Sequence, residues 1–303
     1  MDSTPQQENQ ITIRLGNGLP LQVDREAWRT EILPDNLKAA WDEPRELANL
    51  IMDGFTHRMF REVLEAARHL FEIDDYPIRG TALYSQALIH NGAAANAGKL
   101  LEDHIKAHGK SAVILVNQAQ VAAQKAGTET EPEVSELLWE ALEHEPNMEN
   151  ALYWYAGIAG RTGGEDAYVD ALEKVAELPG AYMARVRLAE VDLKDDAKGS
   201  ALLTLAEAIE AGKARPAESL LAVSGILGRA GLAAEMLELV LPVYDLKVHG
   251  PNVGFNLLQA MLQSGDRREA GRIMQEIAAL NQPQLNGMLQ RLAMQLQQAE
   301  QGG

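Results

Sequence analysis

Apolar residues recur along most of the chain at the three- and four-residue spacing of an amphipathic α-helix. Leu257 and Met261 lie four residues apart before Gly265, and Ala270 and Ile273 lie three apart after it. This spacing places apolar side chains on one face of each helix and polar side chains on the other. The pattern predicts a succession of amphipathic helices joined by short turns.

Two interleaved series of helix-breaking residues divide these helices into pairs. Prolines, which lack an amide donor and favour the first turn of a helix, recur mostly at intervals of about 32 to 37 residues. This first series is Pro44, Pro77, Pro146, Pro179, Pro216, Pro251 and Pro283, with Gly109 in the one long gap. The second series is Gly92, Gly127, Gly163-Gly164, Lys194-Asp195-Asp196, Gly231 and Gly265. Each unit is therefore predicted to hold a helix A, a turn, a helix B and a junction.

Units of this length resemble the tetratricopeptide repeat (TPR), whose 34-residue units place small or apolar residues at set positions of both helices. The segment LLQAMLQSGDRREAGRIMQEI (residues 257–277) carries the resemblance most clearly. The preceding unit repeats the scheme with Val223, Leu227, Gly231, Met236, Val240 and Val243. An earlier unit matches at Tyr84, Ser85, Leu88, Gly92, Ala97 and Leu101. The resemblance implies an all-α, right-handed α-solenoid of about seven helix pairs.

Some units depart from the pattern. The unit near Asn150 needs about one extra residue to stay in phase and the unit near Val113 about two, by comparison with a 34-residue repeat. Pro242 falls inside a predicted helix B. A HEAT-like or other α-solenoid is the alternative architecture.

The two ends of the chain differ from the repeats. Residues 11–15 and 19–23 flank Gly16-Asn17-Gly18, which predicts a β-hairpin. The stretch 24–41, with Trp28 and Trp41, predicts a helix that packs on the first repeat. Near the other end, an apolar stripe predicts a helix that caps the stack; its residues are Leu285, Met288, Leu289, Leu292 and Leu296. The predicted organisation is a disordered tail (1–10), a hairpin-plus-helix module (11–43), helical repeats (44–282), and a capping helix and tail (283–303).

Composition and charge restrict the class of function. The chain has no cysteine, which excludes disulfides, thiolate metal sites and cysteine nucleophiles and favours a reducing compartment. Its net charge of −17 opposes binding to nucleic acid and to anionic lipid. The opening MDSTPQQENQ lacks the features of a signal peptide, and no apolar run reaches the ~20 residues of a membrane helix. We expect a cytoplasmic protein that binds neither nucleic acid nor membranes.

Little in the sequence indicates catalysis or metal binding. Gly16-Asn17-Gly18 is too short for a phosphate-binding loop. His104 and His108 lie four residues apart without the intervening carboxylate of a metalloprotease motif, and we interpret them as polar residues at a solvated helix end. No nucleophile elbow, Walker loop or acidic metal motif is present. We expect no enzymatic activity, no catalytic residues, no metal and no cofactor.

A run of acidic residues lies near the middle of the chain. Eight glutamates and no lysine or arginine occur between Glu129 and Glu149. Four of them lie along one helical face, opposite a leucine-rich face: Glu133, Glu136, Glu140 and Glu143. The run is interpreted as a solvated outer face, with a docking strip for a basic partner as the alternative.

The resemblance implies that the A helices line a concave groove and that groove residues fall between the packing positions. Unit by unit, this selects Arg79, His90, Asn117, Lys125, Trp154, Tyr155, Arg161, Arg187, Lys194, Arg229, Asn252, Asn256 and Gln259. The set contains six lysines and arginines, unusual in so acidic a chain. Arginines suit carboxylates, and amides can pair with an extended peptide backbone. The lysine–asparagine clamp best known in the family is not reproduced at the matching positions.

These features favour a non-enzymatic scaffold or adaptor that binds a peptide segment of another protein, acidic or C-terminal, in the concave groove. The alternative is a self-associating assembly or regulatory subunit that uses the edge of the N-terminal hairpin or the acidic outer face. A homo-oligomer is compatible with either.

Overall fold

The computed structural model describes residues 10–14 and 20–301 and consists mainly of helices arranged as consecutive pairs. The A helices are α3 (Pro44–Thr56), α5 (Pro77–His90), α7 (Ala112–Ala126), the first half of α9 (Glu149–Ala176), α10 (Tyr182–Lys194), α12 (Pro216–Arg229) and the second part of α14 (Leu246–Ser264). The B helices are α4 (Leu64–Ile73), α6 (Ala94–His108), α8 (Pro132–His144), the second half of α9, α11 (Lys198–Ala211), α13 (Ala233–Leu239) and α15 (Arg267–Ala278). The predicted all-α architecture of repeated helix pairs is confirmed.

The chain divides into two compact units, Met1–His144 and Glu145–Gly303. Unit 1 contains the N-terminal module and the first three helix pairs. Unit 2 contains the next four pairs and a final helix, α16 (Asn286–Gln301). The boundary between the units, after His144, falls inside residues 44–282, which the sequence predicted as one continuous run of repeats.

Unit 1 begins with a two-stranded antiparallel sheet. Strands β1 (Gln10–Arg14) and β2 (Pro20–Asp24) pair in a register that sets Ile11 opposite Val23. Ile11 is buried in the core of the unit and Val23 packs against that core. The predicted turn at Gly16-Asn17-Gly18 and most of the predicted tail, residues 1–9, lie outside the described residues.

A helical segment follows the hairpin and shares a core with the first helix pair. It consists of α1 (Arg25–Ala27), one π-helical turn (Trp28–Ile32) and α2 (Leu33–Ala39). Asp24 caps its start, because its carboxylate accepts hydrogen bonds from the backbone N–H groups of the first turn. Trp28 is only 2% exposed and packs with residues of α3 and α4. The module is therefore integral to unit 1.

Junctions and turns lie where the proline and glycine series predicted them. Prolines occupy the first turn of α3, α5 and α12. Gly164, at φ +83°, separates the two halves of α9, and Gly250, at φ +74°, separates the two parts of α14. These left-handed conformations favour glycine because a Cβ would be strained there. At Asp196, by contrast, a residue other than glycine turns the chain, at φ +58°.

Pro242 accounts for the most irregular unit. Helix α13 spans only seven residues and ends at Leu239, and a single 3₁₀ turn (Leu241–Val243) follows it. A proline here cannot donate the amide hydrogen bond that would continue the helix. Val243, expected at a packing position, is consequently 46% exposed, so that expectation was wrong.

Neighbouring A helices are joined by a repeated pair of buried polar residues. In unit 1, Asn117 of α7 donates hydrogen bonds to Ser85 Oγ (2.9 Å) and to the Ala82 carbonyl (2.9 Å) of α5. In unit 2, Asn256 of α14 donates to Ser224 Oγ of α12 (2.9 Å). In both places the asparagine follows the serine by 32 residues. A satisfied polar pair inside an apolar contact favours one register over its neighbours.

Helix α16 lies against the last pair of unit 2 and contacts α14 and α15. Leu292 is 4% exposed, whereas Met288 on the same predicted stripe is 38% exposed. The helix begins three residues after Pro283, because residues Pro283–Leu285 form a 3₁₀ turn. Only part of the predicted stripe is therefore buried.

We predict that Asn117→Ala lowers the free energy of unfolding by about 1–3 kcal/mol, because it removes two buried hydrogen bonds and leaves Ser85 Oγ without its donor. Urea denaturation followed by circular dichroism would measure the change. The matched control is Asn96→Ala on the exposed face of α6 in the same unit, expected within about 0.5 kcal/mol. Equal, small effects of the two changes would show that the serine–asparagine pair contributes nothing.

Candidate interaction surface

Acidic residues are distributed unequally between the two classes of helix. The A helices, counting α14 from residue 251, carry eight lysines and arginines and six acidic residues. The B helices carry eight lysines and arginines and eighteen acidic residues. Most of the negative charge of the repeats is thus on the B helices, and the A helices present the surface that repels an acidic partner least.

In unit 1, Arg79 of α5 is engaged within the chain. Its guanidinium donates two hydrogen bonds to Asp74, Nε to Oδ2 at 2.8 Å and Nη2 to Oδ1 at 2.6 Å. Burial disfavours ionisation of Asp74, but the bonds from Arg79 and from the Tyr76 N–H hold the pKa of that carboxyl below its usual value. Arg79 therefore fixes the junction before α5 instead of presenting an open cation.

Asn117 does not line an accessible surface. It is 5% exposed, and its amide bonds the α5 backbone and Ser85. The sequence argument placed Asn117 between packing positions, but α7 is buried on more sides than an amphipathic helix is. The expectation that Asn117 contacts a partner does not agree with this burial.

His90 and Lys125 are the predicted residues of unit 1 that reach its surface. His90 ends α5 and is exposed at one edge, while its ring stacks on Phe60 with centroids 3.9 Å apart. Burial of the stacked ring lowers the pKa of His90, so the side chain favours its neutral form. Lys125 is exposed in the last turn of α7.

In unit 2, an arginine and a tyrosine from neighbouring A helices form one cluster. The Arg187 guanidinium of α10 lies 4.2 Å from the ring centroid of Tyr153 in α9. Its Nη1 donates to Glu190 at 2.5 Å, and its side chain is only 16% exposed. The Nε atom of Arg187 is buried and has no hydrogen-bond partner among the described residues. The cluster combines an oriented cation with an aromatic residue, Tyr153, that is 40% exposed.

Tyr153 was missed by the sequence argument, which selected Trp154 and Tyr155. Tyr155 instead meets the other half of its own helix pair, where Lys174 Nζ donates to its hydroxyl at 3.3 Å. Trp154, which lies between Tyr153 and Tyr155 in the chain, is partly buried. Residues 153 and 155 point in nearly opposite directions on a helix, so an error of two positions in register exchanges one face for the other.

Of the remaining predicted residues of unit 2, five are exposed and one forms a hydrogen bond between neighbouring A helices. Asn256 belongs to the serine–asparagine pair. The exposed residues are Arg161, Lys194, Arg229, Asn252 and Gln259. Asn256 and Gln259 line a small cavity beside Gly228 and Gly231. The thirteen predicted residues thus do not form a single surface, and the best-defined group is centred on Arg187.

The acidic run lies on the exposed face of α8. Glu133, Glu136 and Glu143 are exposed, whereas Leu138 and Leu142 are completely buried. A fourth glutamate, Glu140, accepts two hydrogen bonds from Lys110 Nζ, at 2.6 and 2.9 Å. The two-sided pattern read from the sequence is present in the helix.

His104 is a correction to the sequence analysis. It is 6% exposed, not solvated, and a 2.9 Å hydrogen bond joins its Nδ1 to Thr81 Oγ1 of α5. The ring of the exposed His108 lies 4.8 Å away, centroid to centroid. Burial, and secondarily the positive charge of His108, lowers the pKa of His104. Across residues 10–14 and 20–301, no group of three or more histidine, aspartate or glutamate side chains is arranged to hold a metal ion.

The repeat geometry identifies the architecture. The described part of the chain contains seven consecutive helix pairs, with proline junctions and left-handed turns about 34 residues apart, which is the repeat length of TPR units. The chain is a helical-repeat protein whose units resemble those of the TPR family in length and in the order of helices and turns. Within the part of this TPR-like chain that the structure describes, no helix combines the length and apolar character required to cross a bilayer.

Comparisons with known proteins add two structural similarities. No family model and no curated protein matches the sequence. Yeast Tom70 is similar over 90% of this chain and 60% of its own, with 14% identity and a TM-score of 0.47. One chain of the APC/C hetero-tetramer Cut9–Hcn1 is similar over 89% of this chain and 56% of its own length, with 15% identity and a TM-score of 0.38. The TPR-like chain therefore spans less than two thirds of the length of either.

We predict that His104 makes stability depend on pH. Because the pKa of His104 is lower in the folded chain than in the unfolded chain, the unfolded state binds the proton more readily. Stability is retained above the unfolded histidine pKa of about 6.5 and falls as the pH decreases through that value. The fall in urea midpoint from about pH 7.5 to 5.5 should be smaller for His104→Gln than for the unmodified protein. His144→Gln, at an exposed site in the same unit, is the control that should leave the pH dependence unchanged.

Proposed function

We propose that this chain is a non-enzymatic scaffold that binds a segment of another protein on its A helices. The observation that carries the proposal is the Tyr153–Arg187 cluster, which sits on A helices while acidic residues are concentrated on B helices. Arginine and tyrosine are enriched among residues that dominate binding energy at protein interfaces.

The cluster suits a carboxylate of the partner. Arg187 is held in place by the ring of Tyr153 and by one bond to Glu190, so little conformational entropy remains to be lost on binding. Its planar fork has five N–H donors, more than Glu190 alone occupies. An acidic side chain or a C-terminal carboxylate would complete the set of acceptors, and the exposed Tyr153 ring offers apolar contact beside it.

The amide and basic side chains farther along unit 2 extend this surface. Lys194 and Arg229 are exposed at the ends of their A helices, and Asn252 and Gln259 are exposed on α14. Amide side chains can pair with the backbone of an extended peptide, which leaves the arginine to select acidic positions. The proposed ligand is therefore an extended acidic segment, and unit 2 is its main site.

Self-association through the N-terminal hairpin is a second candidate. In the described part of the chain, β1 and β2 pair only with each other, so each strand has one edge that is not paired with another strand. Leu21 of β2 is 43% exposed beside this edge. A dimer formed by strand addition would be detected by light scattering and abolished by a proline within β1.

We predict that Arg187→Glu weakens binding of an acidic peptide by more than the ~0.2–1 kcal/mol of an exposed ion pair, because Arg187 is largely shielded from water and the new charge repels the ligand. Fluorescence anisotropy with a labelled acidic peptide selected against the protein would measure the dissociation constant. Lys213→Glu makes the same charge change at a 71% exposed site in unit 2 and is the control. Equal losses in both variants would indicate only long-range attraction, and an unaffected Arg187→Glu variant would place the ligand elsewhere.

A further inference from the structure

A groove in unit 1 lies outside the proposed A-helix site. It runs between α2 and the start of α4 and is open to solvent, with a volume of about 770 Å³ when that open space is included. The lining residues are Pro34, Leu37, Lys38, Trp41, Glu62, Glu65 and Ala66. Most of these side chains are apolar, and the polar ones are two glutamates and one lysine.

The apolar part of the groove is fixed before any ligand binds. Leu37 and Ala66 are 5% and 2% exposed and belong to the core of unit 1. Trp41 is partly buried, and its indole stacks on His69 with centroids 4.3 Å apart and an angle of 10° between the rings. This stacking holds the aromatic ring in one orientation, so a ligand that contacts it pays little entropy.

The two glutamates have capacity for another donor. Glu62 accepts from Arg29 at 3.1 Å and Glu65 accepts from Arg68 at 2.6 Å, each through its Oε1 atom alone. A carboxylate has about four acceptor positions, so one bond leaves room for more. Among the described residues that line the groove, Lys38 is the only cation. A groove with a fixed indole and two carboxylates is complementary to a cation with an apolar stem.

We propose that this groove binds an arginine side chain of a partner protein. The methylene stem lies along Leu37 and Ala66, and the guanidinium meets the indole of Trp41 and the carboxylates of Glu62 and Glu65. Arginine fits better than lysine because its planar group can stack on an indole and donate to two carboxylates together. The net charge of −17 accelerates the approach of a basic segment.

This site is independent of the proposed acidic-peptide site. It lies in unit 1, on the N-terminal module and a B helix, and it selects the opposite charge. Failure of one proposal leaves the other unaffected, because Arg187 is in unit 2 and does not line the groove.

Nuclear magnetic resonance with a minimal probe tests the site directly. The chain has four tryptophans, and the indole N–H signal of Trp41 is assigned as the one absent from a Trp41→Phe variant. We expect N-acetyl-arginine amide to shift the Trp41 signal saturably at physiological salt, whereas the uncharged isostere N-acetyl-citrulline amide does not. Equal shifts with both compounds, equal shifts of all four indoles, or no saturable shift would each overturn the proposal.

Two charge changes at the rim sharpen the test. Glu65→Gln should weaken arginine binding by about two- to fivefold, and Lys38→Glu should strengthen it by a similar factor. Glu72→Gln, on the same helix and also paired with Arg68 but outside the groove, is the matched control for the first change. Lys106→Glu, 72% exposed on α6, is the control for the second. Rim variants that behave like their controls would show that the groove does not select charge.

Discussion

Each unit depends on the burial of its A helices between their own B helices and the neighbouring A helices of the same unit. No helix pair can cover its apolar face alone, so each unit of the chain is stabilised by the stacking of consecutive pairs. Each B helix of unit 1 carries at least one fully buried leucine, Leu70, Leu101 and Leu138 among them, which shows the regularity of this contact. A leucine buried in this way contributes on the order of 1.5–3 kcal/mol.

Apolar stacking by itself does not determine register, because leucine and alanine can pack in several ways. The serine–asparagine pairs fix the register of neighbouring A helices at two places, one in each unit. An asparagine shifted by one residue would leave its amide buried without a partner, at a cost that apolar contact does not offset. Residues such as Asn117 are therefore polar for structural reasons and resemble binding residues only in the sequence.

The A and B helices differ in how many of their sides are buried, and for this reason they also differ in the charge that they carry. B helices have one exposed side and carry most of the acidic residues of the paired helices, whereas A helices are packed on more sides and leave few positions for charge. Two of the cations on A helices are held by neighbours: Arg79 by Asp74, and Arg187 by Tyr153 and Glu190. Of these two arginines, Arg187 has an exposed aromatic residue beside it. The site proposed around Arg187 selects an acidic ligand, whereas the groove proposed at Trp41 selects a basic one.

The sequence by itself determined the helix pairs, their turns and junctions, and the hairpin, because glycine, proline and apolar spacing act locally along the chain. It also indicated the two-sided character of α8. Only the tertiary structure decided which polar residues are accessible, because burial depends on neighbours about one repeat away. Asn117 and His104 are buried by α5, which no local pattern around them reveals. Tyr153 belongs to the candidate site because Arg187, 34 residues later in the chain, lies over its ring. The groove at Trp41 forms only where α2 and α4 come together.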